Sequence, residues 1–512
     1  MINRILEILP AFLAWTTIFL PVVLSFHFPV LVATFIVIFA SMWFVRAIEF
    51  SLFLILSFLK FKKAQKINWI KKNKNFSLNK NLTKKEKENR NNMINENKFI
   101  KPEEVIHLVI IPTYKEGIEV LRDSVKAILK SNFDLKKIFL CIATEERDKI
   151  NGKKNAALIA KEFKNKFGKF FHFTHPDKIP GEIRGKGGNI TYAGKNCTKI
   201  LQKENFDLKK IIVTTLDADN CVHQDYFAAL TYSFCTEKNR HYRSFQPLAF
   251  FFNNIWDVPV FNRIVALSSS FWHMIENGRP DRLRNFASHA QPLSALKEMN
   301  FWSVKTIVED GHQYWRSYLH FKGNYAVVPV FIPIFFDAFQ DKNFFRSVKG
   351  QFLQLRRWAW GVNDIPFMIK NWWKMKKQLP FFRTLLQFFR LCEGHFMWAT
   401  APILITLTTP IPRMINDEFS ETVFAANSAF LVSHTFSFAL TGIIIAMGVS
   451  FLLMPRPKTI GQKISIFGQW LLLPFVTVIF GSSSALTAQT ILASGRKLEF
   501  NVTPKIRIIK DE

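Results

Sequence analysis

Long apolar runs open and close this 512-residue chain, and that distribution limits the folds available to it. A membrane span takes roughly 20 apolar residues. The stretch from Ile8 to His27 meets that length, and a second run, Pro29 to Phe61, follows after a tight turn near Phe26. A secretory leader also places a basic residue, here Arg4, before an apolar core. No small-residue cleavage pattern closes this run, however, and the second begins at once. Residues 1–61 therefore read as a transmembrane hairpin. Arg46 and Glu49 stand three apart, where they pair on one helix face or lie near the interface.

At the other end, residues 381–495 read as a second membrane region. Leu385 to Thr409 and Val423 to Leu453 form two spans. The loop between them carries Asp417, Glu418 and Glu421, which suits the outer face. Arg456, Lys458 and Lys463 mark the inner face again. Arg390, Glu393 and His395 lie on the first of these spans, lining a polar path or touching headgroups. The last run, Ile464 to Ala493, raises a parity problem. A full crossing would put the basic tail, residues 496–512, outside. A re-entrant or paired path broken near Gly481 to Ser484 is expected instead.

The formal net charge is +30. Its densest part, Lys60 to Lys101, directly follows an apolar run, which marks a cytosolic face rather than a nucleic-acid footprint. Residues 62–101 are rich in Lys and Asn and read as a basic, weakly structured linker. Five scattered cysteines suit reduced thiols better than a disulfide framework.

Between the apolar ends lies a mixed-composition region, residues 102–343. His107 to Ile111 is a buried-strand pattern closed by Pro112, and a helical pattern runs from Glu119 to Lys130. Ile138 to Ile142 is a second strand, and about Ala156 to Phe167 a second helix. Strand, helix, strand, helix predicts a parallel α/β sheet. Arg184-Gly185-Lys186-Gly187-Gly188-Asn189 is a basic, Gly-rich turn leading into a helix from Ile190 to Gln202, a good anion site or a plain basic loop. Strand Ile211 to Leu216 then runs into Asp217 and Asp219. Alternation along an extended backbone points these two carboxylates the same way. A divalent ion between them relieves their repulsion. The plain alternative is a polar turn.

Further on, Glu309 and Asp310 precede a helical pattern from Gly311 to Lys322, where acidic residues suit a helix start. Residues 344–380 interleave Phe344, Phe345, Val348, Phe352 and Trp358 with Arg346, Lys349, Arg356 and Arg357, as in a helix lying in the membrane interface. His223, His289 and His312 are expected to be hydrogen-bonded structural residues, not metal ligands.

Taken in order, these pieces resemble the membrane-embedded family-2 glycosyltransferases of GT-A fold, typified by cellulose synthase and hyaluronan synthase. Pro112-Thr113-Tyr114-Lys115-Glu116 resembles the family's Pro-Thr-Tyr-Asn-Glu. Lys186-Gly187-Gly188-Asn189 resembles Lys-X-Gly-Asn, and Asp217-Ala218-Asp219 the metal-binding Asp-X-Asp. Val308-Glu309-Asp310 resembles Thr-Glu-Asp, and Gln354 to Trp358 resembles Gln-X-X-Arg-Trp. Phe500-Asn501-Val502-Thr503-Pro504-Lys505 is similar to the Phe-X-Val-Thr-X-Lys gating loop. The family's uracil-contacting Asp-Asp or Asp-Gly is replaced by Thr144-Glu145-Glu146.

The resemblance implies an α/β GT-A domain inserted between N- and C-terminal transmembrane helices. It implies Asp310 as the catalytic base, and Asp217 and Asp219 as ligands of Mg2+ or Mn2+. Thr113, Glu116, Glu145, Glu146, Lys186, Asn189, Asp217, Gln354 and Arg357 would bind the nucleotide-sugar donor. Glu309 and Trp358 would meet the acceptor, and Phe500, Val502, Thr503 and Lys505 would form the gate. The implied activity is inverting, processive transfer from a UDP-sugar to a β-linked polysaccharide at the plasma membrane, with the active site in the cytosol. The implied partners are the donor, a glycan or lipid-linked acceptor, the bilayer, and an accessory subunit where the product is exported; nucleic acid is not among them. Transfer of one sugar to a lipid carrier, or donor binding without turnover, are the rival readings.

Overall fold

The computed structural model describes residues 2–148, 150–457 and 459–499, so the gating motif Phe500, Val502, Thr503 and Lys505 lies outside the described residues. The described chain folds into two compact units. One holds residues 2–56, 255–271 and 339–499; the other holds 57–254 and 272–338.

In chain order the elements begin with α1 (Ile2–Ser25), α2 (Pro29–Gln65), α3 (Trp69–Ser77) and α4 (Lys84–Asn95). Strands and helices then alternate: β1 (Ile106–Thr113), α5 (Ile118–Leu129), β2 (Ile138–Glu145), α6 (Asn151–Phe163), β3 (Lys169–His175), α7 (Lys186–Lys203) and β4 (Ile211–Thr215). Next come β5 (Cys221–Val222), α8 (Tyr226–Thr236), β6 (Arg243–Phe250), α9 (Val260–Gly278), β7 (Ala290–Pro292), α10 (Leu293–Glu298), α11 (Glu309–His320) and β8 (Ala326–Phe335). The chain closes with α12 (Phe344–Ala359), α13 (Asp364–Met375), α14 (Phe381–Ile403), α15 (Ile411–Ile415), α16 (Asp417–Ser420), α17 (Val423–Leu453), α18 (Ile460–Gly468), α19 (Leu473–Val476) and α20 (Ser483–Ala493).

The second unit is built on an eight-stranded sheet in the order β3-β2-β1-β4-β7-β6-β8-β5. The four strands β1 to β4 run parallel, as the strand-helix alternation predicts. β7 is antiparallel to both β4 and β6, so the sheet is mixed. All eight residues of β1 and of β2 are buried, which is why these strands read as nearly continuous apolar runs. Their shared carboxyl edge carries Thr113 beside Thr144.

The basic linker is a folded element, contrary to the composition. In α3, Asn68 Oδ1 accepts from the Lys71 amide at 2.9 Å, and in α4 Thr83 and Glu86 form a reciprocal capping box. Phe76 and Met93 are fully buried, and Asn73 donates to the Ala228 carbonyl of α8 at 2.8 Å. The Asn residues that suggested disorder serve as caps and clamps, and two well-spaced apolar residues suffice to seat the helices.

Among the described residues, four helical segments are long and apolar enough to cross a membrane: Arg4–Ser25, Pro29–Gln65, Val423–Leu453 and Ile460–Ala493. The expected span at Leu385–Thr409 is not among them, since α14 carries Arg383, Arg390 and Glu393. Arg46 pairs with Glu393 of α14. Asn416 Nδ2 donates to the Phe26 carbonyl at 3.2 Å, so the loop before α16 lies at the α1–α2 turn.

At the far end of α1, Arg4 donates to the Leu492 carbonyl at 3.4 Å and to that of Ala493 at 2.6 Å. α17 starts near that turn, where Ala33, Phe419 and Ala425 cluster, and passes Ser51 of α2 at Gly442. Ser51 and Arg4 lie at similar depth, each about 33 Å of helix from the turn. The Ile460–Ala493 segment thus ends on the Arg4 side. It stays helical through Gly481, with a π-helical stretch at Thr477–Ser482 in place of a reversing turn.

Candidate active site

Three segments far apart in sequence meet on Lys186. Its Nζ lies 2.9 Å from Asp217 Oδ1, 2.8 Å from Asp310 Oδ2 and 3.6 Å from Glu309 Oε1. The partners come from two elements, neither of them the helix of Lys186. Lys186 is the first residue of α7, one turn earlier than the sequence placed the helix start. Glu309 and Asp310 open α11, and Asp217 follows β4. The positive ends of two helices thus flank a cluster of one ammonium and three carboxylates. Burial alone would lower the Lys186 pKa; the Asp217, Asp310 and Glu309 carboxylates outweigh it and hold the ammonium above its ordinary value.

Glycine permits this approach. A Cβ on Gly187 would press into the Ser303 carbonyl oxygen and stand 3.3 Å from Glu309 Cβ. The Gly-rich turn is thus explained by close packing of the two helix starts.

The Asp pair departs from its expected geometry. β4 ends at Thr215, and the Asn220 amide donates to the Asp217 carbonyl at 2.9 Å, closing a turn. Strand alternation therefore stops before the carboxylates. Asp217 reaches Lys186, while the buried Asp219 accepts from the Asp337 amide at 3.2 Å. Among the described residues no group of three or more His, Cys, Asp and Glu forms a metal cage.

At the carboxyl ends of β1 and β2 a second set assembles. Glu116 accepts from the Thr113 hydroxyl at 3.0 Å and from the Tyr114 amide at 2.5 Å. Glu145, the last residue of β2, is buried and accepts from Arg147 Nε at 2.7 Å. Burial pushes the Glu145 carboxyl up, against the opposing pull of Arg147. The Arg147 guanidinium stands 4.4 Å from the Tyr114 ring centroid. Glu146 is exposed and accepts from the Asp177 amide at 2.9 Å. Asn189 is buried and donates to the Ala143 carbonyl at 2.9 Å, tying α7 to β2.

Two neighbours escaped the sequence reading. Arg147 neutralises Glu145. Asp148 accepts from the amide of Lys115, which sits at φ 68°. The dense charge of Glu145 to Asp148 is the signal that could have found both. His289, expected to be merely structural, is buried with Nδ1 3.8 Å from Asp310 Oδ1 and 2.8 Å from the Phe286 carbonyl. Burial lowers the His289 pKa, which the Asp310 carboxylate opposes.

Gln354, Arg357 and Trp358 lie on α12 of the other unit. Gln354 accepts from Gln351 at 2.9 Å, and Trp358 packs against the apolar cluster of Ile264, Leu355 and Phe480.

No family model matches the chain, and no curated protein matches it. Among solved structures it is similar to the mannosyltransferase PcManGT from Pyrobaculum calidifontis in complex with GDP-Man and Mn2+. The identity is 11%, the TM-score 0.42, and the match covers 90% of this chain and 99% of that one. It is also similar to S. aureus TarS 1–349 in complex with UDP-GlcNAc, at 10% identity and TM-score 0.32, over 78% of this chain and 94% of that one.

Proposed function

We propose that the chain is an inverting glycosyltransferase of GT-A architecture that moves a sugar from a UDP-sugar to a growing β-linked polysaccharide at a membrane. The observation that carries this reading is the Lys186 cluster, which joins the Asp-X-Asp, Lys-X-Gly-Asn and Glu-Asp motifs beside the carboxyl end of β4. In this reading Asp310 accepts the proton of the attacking hydroxyl. Lys186 binds the diphosphate as a point charge. Asp217 and Asp219 would hold Mg2+ or Mn2+, and the ion would supply neutralising charge for the leaving diphosphate. Tyr114, Glu145 and Arg147 supply the donor-base side of the site. Attack at the anomeric carbon opposite the leaving group inverts an α-linked donor to a β-linked product.

Helices long and apolar enough to cross a membrane support a membrane location, and the plasma membrane with the catalytic unit in the cytosol is the placement proposed here. The Gln354, Arg357 and Trp358 motif on α12 supports processive transfer with release across the bilayer.

The test is turnover of radiolabelled sugar nucleotides by protein in vesicles with Mg2+ or Mn2+, beside Asp310→Asn. The expected result is a long polymer from one donor, lost by about 10²–10⁴-fold in the variant. A single-sugar lipid product would replace processive synthesis with one-step transfer. Donor binding with no transfer by the wild type would leave only a sugar-nucleotide-binding scaffold, as the occupied Glu145–Arg147 pair would suit.

A further inference from the structure

Trp272 is out of place among its neighbours. Phe271 to Arg279 are otherwise all buried, yet Trp272 is 43% exposed. Of the four tryptophans in its unit, Trp69 is half-buried and Trp302 and Trp315 are buried, so Trp272 alone is exposed. Full exposure of a large apolar side chain costs about 1.5–3 kcal/mol, and Trp272 keeps part of that cost.

The ring is also held rigidly. It packs edge-to-face on Phe286, with centroids 4.7 Å apart. Phe286 is pinned in turn, its amide donating to the buried Gln246 side chain at 2.8 Å. The same Phe286 presents its carbonyl to His289, which borders Asp310. Between them Ser288 sits at φ 63°, a left-handed conformation rare outside glycine, and is tied to the Asn220 side chain. One strained, over-determined loop therefore fixes both the exposed indole and the neighbour of the proposed base.

We infer that Trp272 is a stacking platform for a pyranose ring of the acceptor glycan, lying beyond the sugar whose hydroxyl Asp310 deprotonates. A rigid aromatic face binds the apolar C–H face of a sugar while its hydroxyls stay solvated, at little entropic cost. Continuity with the Asp310 loop favours an acceptor sugar over a lipid chain as the occupant. This inference rests on the glycosyltransferase reading.

The test compares wild type with Trp272→Ala and Trp272→Phe, using the donor that the wild type turns over and oligosaccharides of its own product as acceptors. The expected result is an acceptor KM about tenfold higher in Trp272→Ala, little change in donor KM, shorter product chains, and recovery of most of the loss in Trp272→Phe. An unchanged acceptor KM and chain length would overturn the inference while leaving the transferase reading intact. So would weaker partitioning of Trp272→Ala into phosphatidylcholine–phosphatidylglycerol vesicles with acceptor KM unchanged, which would make Trp272 a membrane anchor. No transfer by the wild type from any donor would instead remove the reading on which the inference rests.

Discussion

At the scale of single residues, Lys186 has the most to lose. Replacing it with Gln would leave the Asp217, Glu309 and Asp310 carboxylates facing one another. Breaking a fully buried pair costs about 3–5 kcal/mol, and the part-exposed Asp217 brings the expected loss to about 2–3 kcal/mol. Thermal melting in detergent should show that loss, with part of it restored by Mg2+ or Mn2+. An unchanged melting temperature would mean the ammonium holds nothing there. A second residue-scale expectation concerns acid. Burial lowers the pKa of His107 and of His273 from 6.5 to about 3. The unfolded chain takes up those protons below about pH 6.5 and the folded chain does not, so stability is full above 6.5 and falls toward 3. The expected slope is about 1.4 kcal/mol per pH unit for each histidine. Melting from pH 7 to 5 should show it, and a flat profile would count against buried neutral rings. The gathering of Asp217, Lys186 and Asp310 was legible in residue types, since the motifs that hold them meet. Its geometry was not: alternation was extended past Thr215, where the strand had already ended, and the hydrogen-bonded role expected of His289 did not reveal its place 3.8 Å from Asp310.

At the scale of elements, the sequence reading succeeded where one local rule dominated. β1, β2, α5 and α7 follow from apolar runs and periodicity, and their boundaries move by only a few residues. It failed where an element draws its stability from a few contacts with other parts of the chain. The α3–α4 segment has the composition of a loose linker, yet it is held by Phe76, Met93 and side-chain bonds from Asn73 and Asn89 to carbonyls of α8. Met93→Ala is therefore expected to cost about 2–5 kcal/mol and to expose residues 80–100 to limited proteolysis before the sheet unfolds. Equal cleavage rates in wild type and variant would return this stretch to a flexible linker. The mixed character of the sheet was likewise unreadable, because β7 is only three residues long and no periodicity marks it.

At the scale of the whole molecule, the distribution of apolar runs predicted the membrane-type helices, and charge alone could not fix their course. The contacts do so within their unit. Asn416 lies at the Phe26 turn and Ala493 at Arg4. A membrane-impermeant maleimide should therefore label Asn416→Cys and His27→Cys from one side of a vesicle and Ser494→Cys from the other, in a background lacking the native cysteines. Labelling of all three from the same side would break this arrangement. The Arg4 contact also sets a schedule for biosynthesis. Arg4 and Ala493 are 489 positions apart, and a ribosome adds about 5–20 residues per second. The first helix, with Arg4 paired only to Glu7, must therefore wait on the order of half a minute to more than a minute and a half before the last helix exists to receive it. A nascent chain stalled before Ser483 holds α1 without that partner, which makes the closing step of assembly the natural point for a membrane chaperone or a protease to act.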